Sequence, residues 1–410
     1  MKKVCISFVN GCPRMLLDAA RLVDYFQANG WQMTTQLPEA DMILMGACAV
    51  EEETEKSSMK YLSLAEGKKK EGLRLVVFGC IAGINEALIR QHHDAEVMTC
   101  SKFDQLDSII GARVAIKDIK DPNDIENHLN YITNSFTTLD HLRAKNKFRL
   151  TEVAAYKLLS KFQQLRFGRK HAPTILGGKS YHIRVARGCL GHCTYCAIKN
   201  AVGTLRSRPL EAVLTEFQAA LANEYPLIRL IAEDVGSYGQ DLGTDVVEFF
   251  KALFSLDGNH SYRLAIDDFS PKWFVPYSSA LTDLFCRHKD KIAYLGIEIQ
   301  SGSERILQLM QREYTAADAG KAIQALKEAC PEIDLRTHVL VGFPGETERD
   351  FLDTVNFLKS SPFKHISMYK YSDRPNTIAS GMPNQIPEKT KMQHIRKLIY
   401  ALEGRAFLAG

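Results

Sequence analysis

What this chain can fold into is governed by one feature: short apolar runs alternate with stretches of helical period, and they do so in two separate regions. From Tyr181 onward, strand-like runs stand at His182 to Val185, Leu227 to Ile231, Tyr262 to Ile266, Ala293 to Ile299, Leu335 to Val341 and His365 to Tyr369. Each is followed by a segment with helical spacing. Parallel strands need a crossover between them, so this alternation predicts a parallel sheet. Residues 181–410 are therefore expected to form a partial (β/α)6 barrel, with its chemistry at the carboxyl ends of the strands. Residues 1–105 repeat the pattern on a smaller scale. Val4 to Val9, Met42 to Met45 and Leu73 to Phe78 read as strands, and Met15 to Ala28 and Glu51 to Glu66 as helices. That order predicts an N-terminal α/β domain with a doubly wound parallel sheet.

Residues 106–180 are expected to be a linker. Between 135 and 180 they hold ten Lys or Arg against Asp140 and Glu152, with Val153, Tyr156, Leu159 and Phe162 at helical spacing. This reads as a basic helical insertion. It offers a cationic face to RNA phosphates or an acidic peptide, or else it is a solvated helix face. Pro173 and Gly177-Gly178 mark the end of the linker.

The cysteines carry the chemistry. Cys189, Cys193 and Cys196 lie within one short stretch, GCLGHCTYC, directly after the first predicted barrel strand. No apolar run approaches membrane-spanning length, and no secretory signal opens the chain, so a cytoplasmic protein is expected. In that compartment disulfides are rare and clustered thiols point to metal or catalysis. Three thiolates suit a 4Fe-4S cluster with one iron left open; the alternative is zinc with His192 as fourth ligand. Cys12, Cys48 and Cys80 each follow a predicted strand of the N-terminal domain. The carboxyl-end loops of an open parallel sheet converge, so these three are expected to meet, unless they are three unrelated buried thiols. Cys5, Cys100, Cys286 and Cys330 match no motif and are taken as structural. A net charge of +4 decides nothing about an acidic partner.

The Cx3CxxC spacing after a barrel strand, with Tyr195 before the last cysteine, resembles the radical S-adenosylmethionine (SAM) superfamily. Several stretches resemble one branch of it, the methylthiotransferases: RGCLGHCTYCAIKNAVGTLRSRPLEAV (187–213), EDVGSYGQDLGT (233–244), IEIQSGSERILQLMQREYT (297–315), VGFPGETERDF (341–351) and KYSDRPNTIASGMPNQIPE (370–388), together with Cys12, GACAV around Cys48 and VFGC ending at Cys80. The resemblance covers about residues 1–105 and 181–400. It implies two 4Fe-4S clusters, one on Cys189, Cys193 and Cys196 and an auxiliary one on Cys12, Cys48 and Cys80. It also implies SAM, an external electron donor, a sulfur donor, and a net conversion of an unactivated C–H to C–SCH3. By position, Glu233 and Asp234 would bind the SAM ammonium or cap a helix. Glu298, Gln300 and Ser301 would contact its ribose or methionine part. Gly342 would let the backbone approach the adenine, or else GFPGET is a structural strand-to-helix turn. Arg206 and Arg208 would neutralise a SAM carboxylate or a substrate anion.

The chain departs from the family pattern at Met15, at Gly46-Ala47 and at His338, where the family has Asn, Asn-Thr and often Asp. The family also usually appends a small RNA-gripping β-barrel, called TRAM. Here the chain reads as ending at Gly410 in a helical stretch, without room for it, and the extra length lies between Cys80 and Cys189. The expected substrate is a peptide or protein side chain, since the RNA-gripping domain is not expected. The alternative is a modified adenosine of tRNA, which EDVGSYGQDLGT favours. Readings of another class are a cobalamin-dependent radical SAM methyltransferase and a non-catalytic iron-sulfur RNA-binding protein.

Overall fold

The structure is a computed structural model that describes residues 1–9, 11–67, 72–134, 180–256, 260–402 and 405–408. The expected basic helix at 135–180 falls outside the described residues, Ser180 excepted. The chain divides into two compact units. One comprises Met1–Cys48, Thr54–Ala82 and Glu86–Lys179; the other comprises Ala49–Glu53, Gly83–Asn85 and Ser180–Gly410.

The first unit is built on a six-stranded sheet, parallel throughout. Its strands are β1 (Lys3–Val9), β2 (Gln32–Met33), β3 (Met42–Ala47), β4 (Arg74–Phe78), β5 (Glu96–Val97) and β6 (Ile132–Asn134). The order is β2-β1-β3-β4-β5. One edge of β1 pairs with β3, and the other is shared by β2 at Lys3 and Val4 and by β6 at Ile6 to Phe8. All residues of β3 and all but the first of β1 are buried, as strands covered on both faces must be. The helix Pro13–Ala28 begins on a proline, whose missing N–H costs nothing in a first turn. It buries Leu16, Ala20 and Val23 at helical spacing.

Residues 105–134 carry no strong periodicity because other forces hold them. The Arg21 guanidinium donates to the carbonyls of Ile116 at 2.6 Å and Ile119 at 2.8 Å, and the Tyr25 hydroxyl donates to Asp107 at 2.8 Å. Asn29 exchanges hydrogen bonds with the backbone of Arg113 and Val114. These side-chain bonds return the segment to the helix at 13–28, and β6 then completes the sheet.

The second unit carries a parallel sheet ordered β7-β10-β11-β12-β13-β14-β15. These strands are β7 (Ser180–Arg184), β10 (Leu227–Ile231), β11 (Arg263–Phe269), β12 (Ile292–Ile297), β13 (Leu335–Val341), β14 (His365–Lys370) and β15 (Ala406–Leu408). A two-stranded antiparallel ribbon, β8 (Ala186–Arg187) with β9 (Arg206–Ser207), follows β7. The first six barrel strands stand where the apolar runs put them. The seventh, β15, was not expected. The last helix ends at Ala401, and a three-residue strand then pairs with β14 where the sequence reads as helical.

Alternation along the barrel strands separates two faces. Ile183, Leu230, Ile266, Leu295, Val339 and Met368 join the apolar core with helix residues such as Phe250, Phe285 and Ile323. The intervening positions carry polar side chains. Arg229 donates to the Tyr294 hydroxyl at 2.8 Å, that hydroxyl donates to Asp267 at 2.8 Å, and the Arg336 guanidinium lies 3.7 Å over the Tyr294 ring. Buried charges persist here because each is paired. Cys286 and Cys330, taken as structural, lie with Cα atoms 5.5 Å apart and form a disulfide between two helix ends of the outer layer.

Candidate functional site

In the second unit, the loop that follows the ribbon strand β8 holds Cys189, Cys193 and Cys196, all partly buried. Gly188, just before it, has φ +85°, and a Cβ there would lie 2.2 Å from the Thr204 carbonyl oxygen. Only glycine lets the chain turn so tightly into Cys189. The loop is clamped from several sides. Cys189 N–H donates to the Gly203 carbonyl, Thr194 N–H donates to the Met310 carbonyl and Ala379 N–H donates to the Thr194 carbonyl. The Thr194 hydroxyl donates to Leu309 O at 2.9 Å.

Two of the three sulfurs already accept hydrogen bonds. Gly191 N–H points at Cys189 Sγ at 3.1 Å, and Arg312 Nη1 points at Cys193 Sγ at 3.3 Å. Neutral thiols are weak acceptors, whereas metal-bound thiolates are strong ones. Burial pushes the Cys189 thiol up to about 11 and raises Cys196 as well, so thiolates here need the compensating charge of a metal centre. The site therefore fits an iron-sulfur cluster by donor type. Zinc fits less well. Three thiolates at about 2.3 Å from one ion stand about 3.8 Å apart. Among the described residues, the sole trio with ligand atoms all within 4.8 Å is Asp268, Glu298 and His338, and His192 is exposed.

The other expected residues lie around the strand ends, many already engaged. Glu233, after β10, accepts from Gly188 N–H at 2.7 Å. Asp234 caps the turn Val235–Ser237; its carboxylate accepts from Gly236 N, Ser270 N and Trp273 Nε1. Burial pushes Asp234 up to about 6, against those donors and Arg312. Glu298, after β12, forms an ion pair with His338 Nδ1 at 2.9 Å, without the alignment of a hydrogen bond. Burial acts to lower His338, but Glu298, with Asp268 and Asp267 behind it, lifts it to about 9. The Asp-to-His departure from the family pattern has thus placed a cation against Glu298.

Gln300 has φ +66°, a left-handed backbone that costs about 1–3 kcal/mol in a non-glycine residue. It is held there by Gln300 N–H to His338 O and Leu340 N–H to Gln300 O. The Ser301 hydroxyl is buried, paired with Thr354 and accepting from Ser303 N–H. Gly342 has φ +75° and gives its N–H to Glu346 at 2.8 Å; a Cβ there would meet Lys391 Cγ at 2.4 Å. GFPGET therefore works here as a strand-to-helix turn, which Thr347 closes with a reciprocal cap to Asp350. Arg208 is bound to Glu216 through two bonds of 2.8 and 2.6 Å, and Arg206 is exposed on β9.

In the first unit the sheet register sets the second group of thiols. Gly46 pairs with Phe78 and Val77 with Val97, so Cys48, Cys80 and Cys100 follow adjacent strands at matching height. Cys12 follows β1 on the other side of β3. The order β2-β1-β3-β4-β5 changes direction between β1 and β3, the place where open parallel sheets bind ligands. Burial, then the neighbouring thiols of Cys12, Cys48 and Cys100, push Cys80 well above the usual thiol range. Cys80 thus has Cys12 and Cys48 as electrostatic neighbours, and Cys100, taken as structural, acts on it with them. Its signal was the same as theirs, a cysteine just past a strand, but Glu96–Val97 is too short to read as one.

Sequence reasoning also missed Arg312 and Tyr314. Arg312 Nη2 donates to the Glu298 carbonyl at 2.8 Å, and the Tyr314 hydroxyl donates to the Ile299 carbonyl at 2.5 Å. Both sit in the quoted stretch 297–315, yet only the folded chain shows what they touch.

Three cysteines in the loop after the first strand of a parallel β/α barrel, with polar side chains at the neighbouring strand ends, define a radical SAM enzyme. Residues 183–358 match the family described as the Radical SAM superfamily, and residues 3–100 match the Uncharacterized protein family UPF0004. The chain is 30% identical to a tRNA-2-methylthio-N(6)-dimethylallyladenosine synthase from Caldicellulosiruptor saccharolyticus, over 96% of this chain and 76% of that one. It is 29% identical to the ribosomal protein uS12 methylthiotransferase RimO of Geobacter sulfurreducens, over 95% of this chain and 80% of that one. The chain belongs to the radical SAM methylthiotransferases, an enzyme family that uses SAM and a 4Fe-4S cluster. Its fold is also like that of the cobalamin-bound radical SAM methyltransferase TsrM from Kitasatospora setae (TM-score 0.58, 93% of this chain, 77% of that one), at 12% identity a likeness of fold alone. Among the described residues no helix is long and apolar enough to cross a membrane.

Proposed function

We propose that this enzyme carries two 4Fe-4S clusters and uses them to convert an unactivated C–H of a polypeptide side chain to C–SCH3. The observation that carries the two-cluster reading is the register that sets Cys48 beside Cys80, with Cys12 across the β1/β3 switch point. Cys189, Cys193 and Cys196 hold the SAM-binding cluster, and Cys12, Cys48 and Cys80 hold the auxiliary one. When bound, the first supplies with SAM a carbon-centred radical, and the second presents the sulfur.

The chain's own residues bind and orient. Glu298 and the backbone at Gln300 would hold the ribose or methionine part of SAM, and Glu233 and Asp234 would bind its ammonium. Ser301, Gly342 and Arg208 act through the backbone they hold, and Arg206 is the exposed cation. An external electron donor and a sulfur donor, both in the cytoplasm, complete the reaction.

The polypeptide reading is supported by relatives named for ribosomal protein uS12, and relatives named for tRNA keep an adenosine as the second reading. Two measurements test the proposal. Anaerobically reconstituted protein should hold about eight irons per chain, falling to about four in a C12A/C48A/C80A variant; four in both would overturn the second cluster. Mass spectrometry of candidate ribosomal peptides and of tRNA nucleosides should then find the added methylthio mass on peptide. If it appears on a nucleoside, and binding weakens steeply with salt as phosphate contacts require, the substrate is tRNA.

A further inference from the structure

Arg312 follows the helix Glu304–Leu309 at a point where Gln311 has φ +54° and Arg312 N–H closes back onto the Leu307 carbonyl. From there its guanidinium reaches three other parts of the second unit. Nη2 donates to the Glu298 carbonyl at 2.8 Å and lies 3.5 Å from Ser270 Oγ; Nε donates to the Tyr314 hydroxyl at 3.3 Å. Nη1 donates to Cys193 Sγ at 3.3 Å. An arginine serving only to brace the loop would gain more from a carbonyl, since a neutral thiol accepts weakly. The arrangement complements an anionic sulfur.

We propose that Arg312 is a positioning residue that sets the reduction potential of the loop cluster, through its hydrogen bond to Cys193 Sγ. This rests on the assignment of Cys189, Cys193 and Cys196 as the ligands. Hydrogen bonds to cluster sulfurs and nearby positive charge favour the more negative, reduced state, so Arg312 makes the cluster easier to reduce. It also ties that ligand to the Glu298 strand end, which on the proposed reading would hold SAM.

The test is an electron paramagnetic resonance redox titration of reconstituted holoenzyme, following the signal that SAM perturbs, in the wild type, R312Q and R312K. With iron content retained, R312Q at a fixed solution potential is expected to hold about tenfold less reduced cluster, a shift of about 59 mV to more negative potential for one electron. R312K keeps the charge but not the fork, and is expected to shift the same way by less. An unchanged midpoint in R312Q with full iron overturns the proposal. If R312Q loses iron, the decision passes to R312K: a midpoint below wild type supports the proposal, and one equal to it overturns it. A wild-type protein with no SAM-perturbed cluster signal would instead remove the ligand assignment underneath.

Discussion

The two groups of thiols are assembled by opposite means. Cys189, Cys193 and Cys196 are close because they are neighbours in one loop, fixed by local turns and a few clamps such as Thr194 to Met310. Cys12, Cys48 and Cys80 are distant in sequence and share one end of the sheet only because β1, β3 and β4 lie side by side in register. The first group is a property of a segment and the second a property of a fold. The loop should survive changes elsewhere, and the sheet group should be as strong as its pairing.

The largest expected effect comes from the thiols themselves. Cys193→Ala should abolish reductive SAM cleavage, read as 5'-deoxyadenosine, well beyond the ~10–100-fold loss seen when a residue merely supports a metal ligand. Cys48→Ala should leave that cleavage in place while removing methylthio transfer. If Cys48→Ala silenced both, the two groups would not be separable and the contrast would fail.

Next come the glycines that turn the chain into each group. Gly79, before Cys80, has φ +93°, and a Cβ there would lie 2.8 Å from the Ala47 carbonyl oxygen; at Gly188 the corresponding distance to Thr204 O is 2.2 Å. Each Gly→Ala change should cost about 2 kcal/mol or more, from a left-handed backbone and a clash together. Urea unfolding of the iron-free protein measures it. The sharper expectation concerns iron afterwards. G79A should lose auxiliary iron because it pushes β3 and β4 apart, whereas G188A should lose loop iron only.

Much of this was legible beforehand, for physical reasons that can be located. Long buried strands such as β1, β3 and the first six of the barrel declare themselves, because every residue is apolar or alternates. Strands of two or three residues, β2, β5, β6 and β15, exist only through their partners, so no local pattern marks them. Cys100 was lost with β5. The helix at Pro13–Ala28 was placed within two residues, and its start was fixed by proline. Within the site, the loop cysteines stood out by spacing and a capping role for Asp234 was legible, but the tertiary partners of Asp234, Ser301 and Arg208 were not. Their partners Trp273, Thr354 and Glu216 come from other elements. Arg312 escaped for the same reason.

A moderate effect separates the groups by what supports them. Glu233, from the end of the next strand, takes the N–H of Gly188 at 2.7 Å and so holds the start of the loop. Glu233→Ala leaves that donor without its acceptor and should cost about 1–3 kcal/mol. Loop iron should become more labile to chelator, and auxiliary iron should not. Equal lability at both groups would show that the loop is less self-contained than its spacing implies.

The smallest effect is a pH dependence confined to the barrel. His338 is lifted to about 9, burial opposing and Glu298 with Asp268 and Asp267 prevailing. Its folded value lies above the ordinary 6.5, so the protonated pair stabilises the fold fully below about pH 6.5, and that contribution fades as pH rises through about 9. The imidazole is partly exposed, which screens the pair and keeps the effect small. Thermal unfolding of wild type and His338→Asn, compared between about pH 6 and 10, should show the wild type losing its advantage across that window. Parallel curves would mean that His338 does not carry the charge assigned to it. The Glu298 carbonyl accepts from Arg312, which in turn donates to Cys193, so the loop group is linked through Glu298 to this titrating pair. The potential of its cluster should then move with pH over the same window, more in the wild type than in His338→Asn.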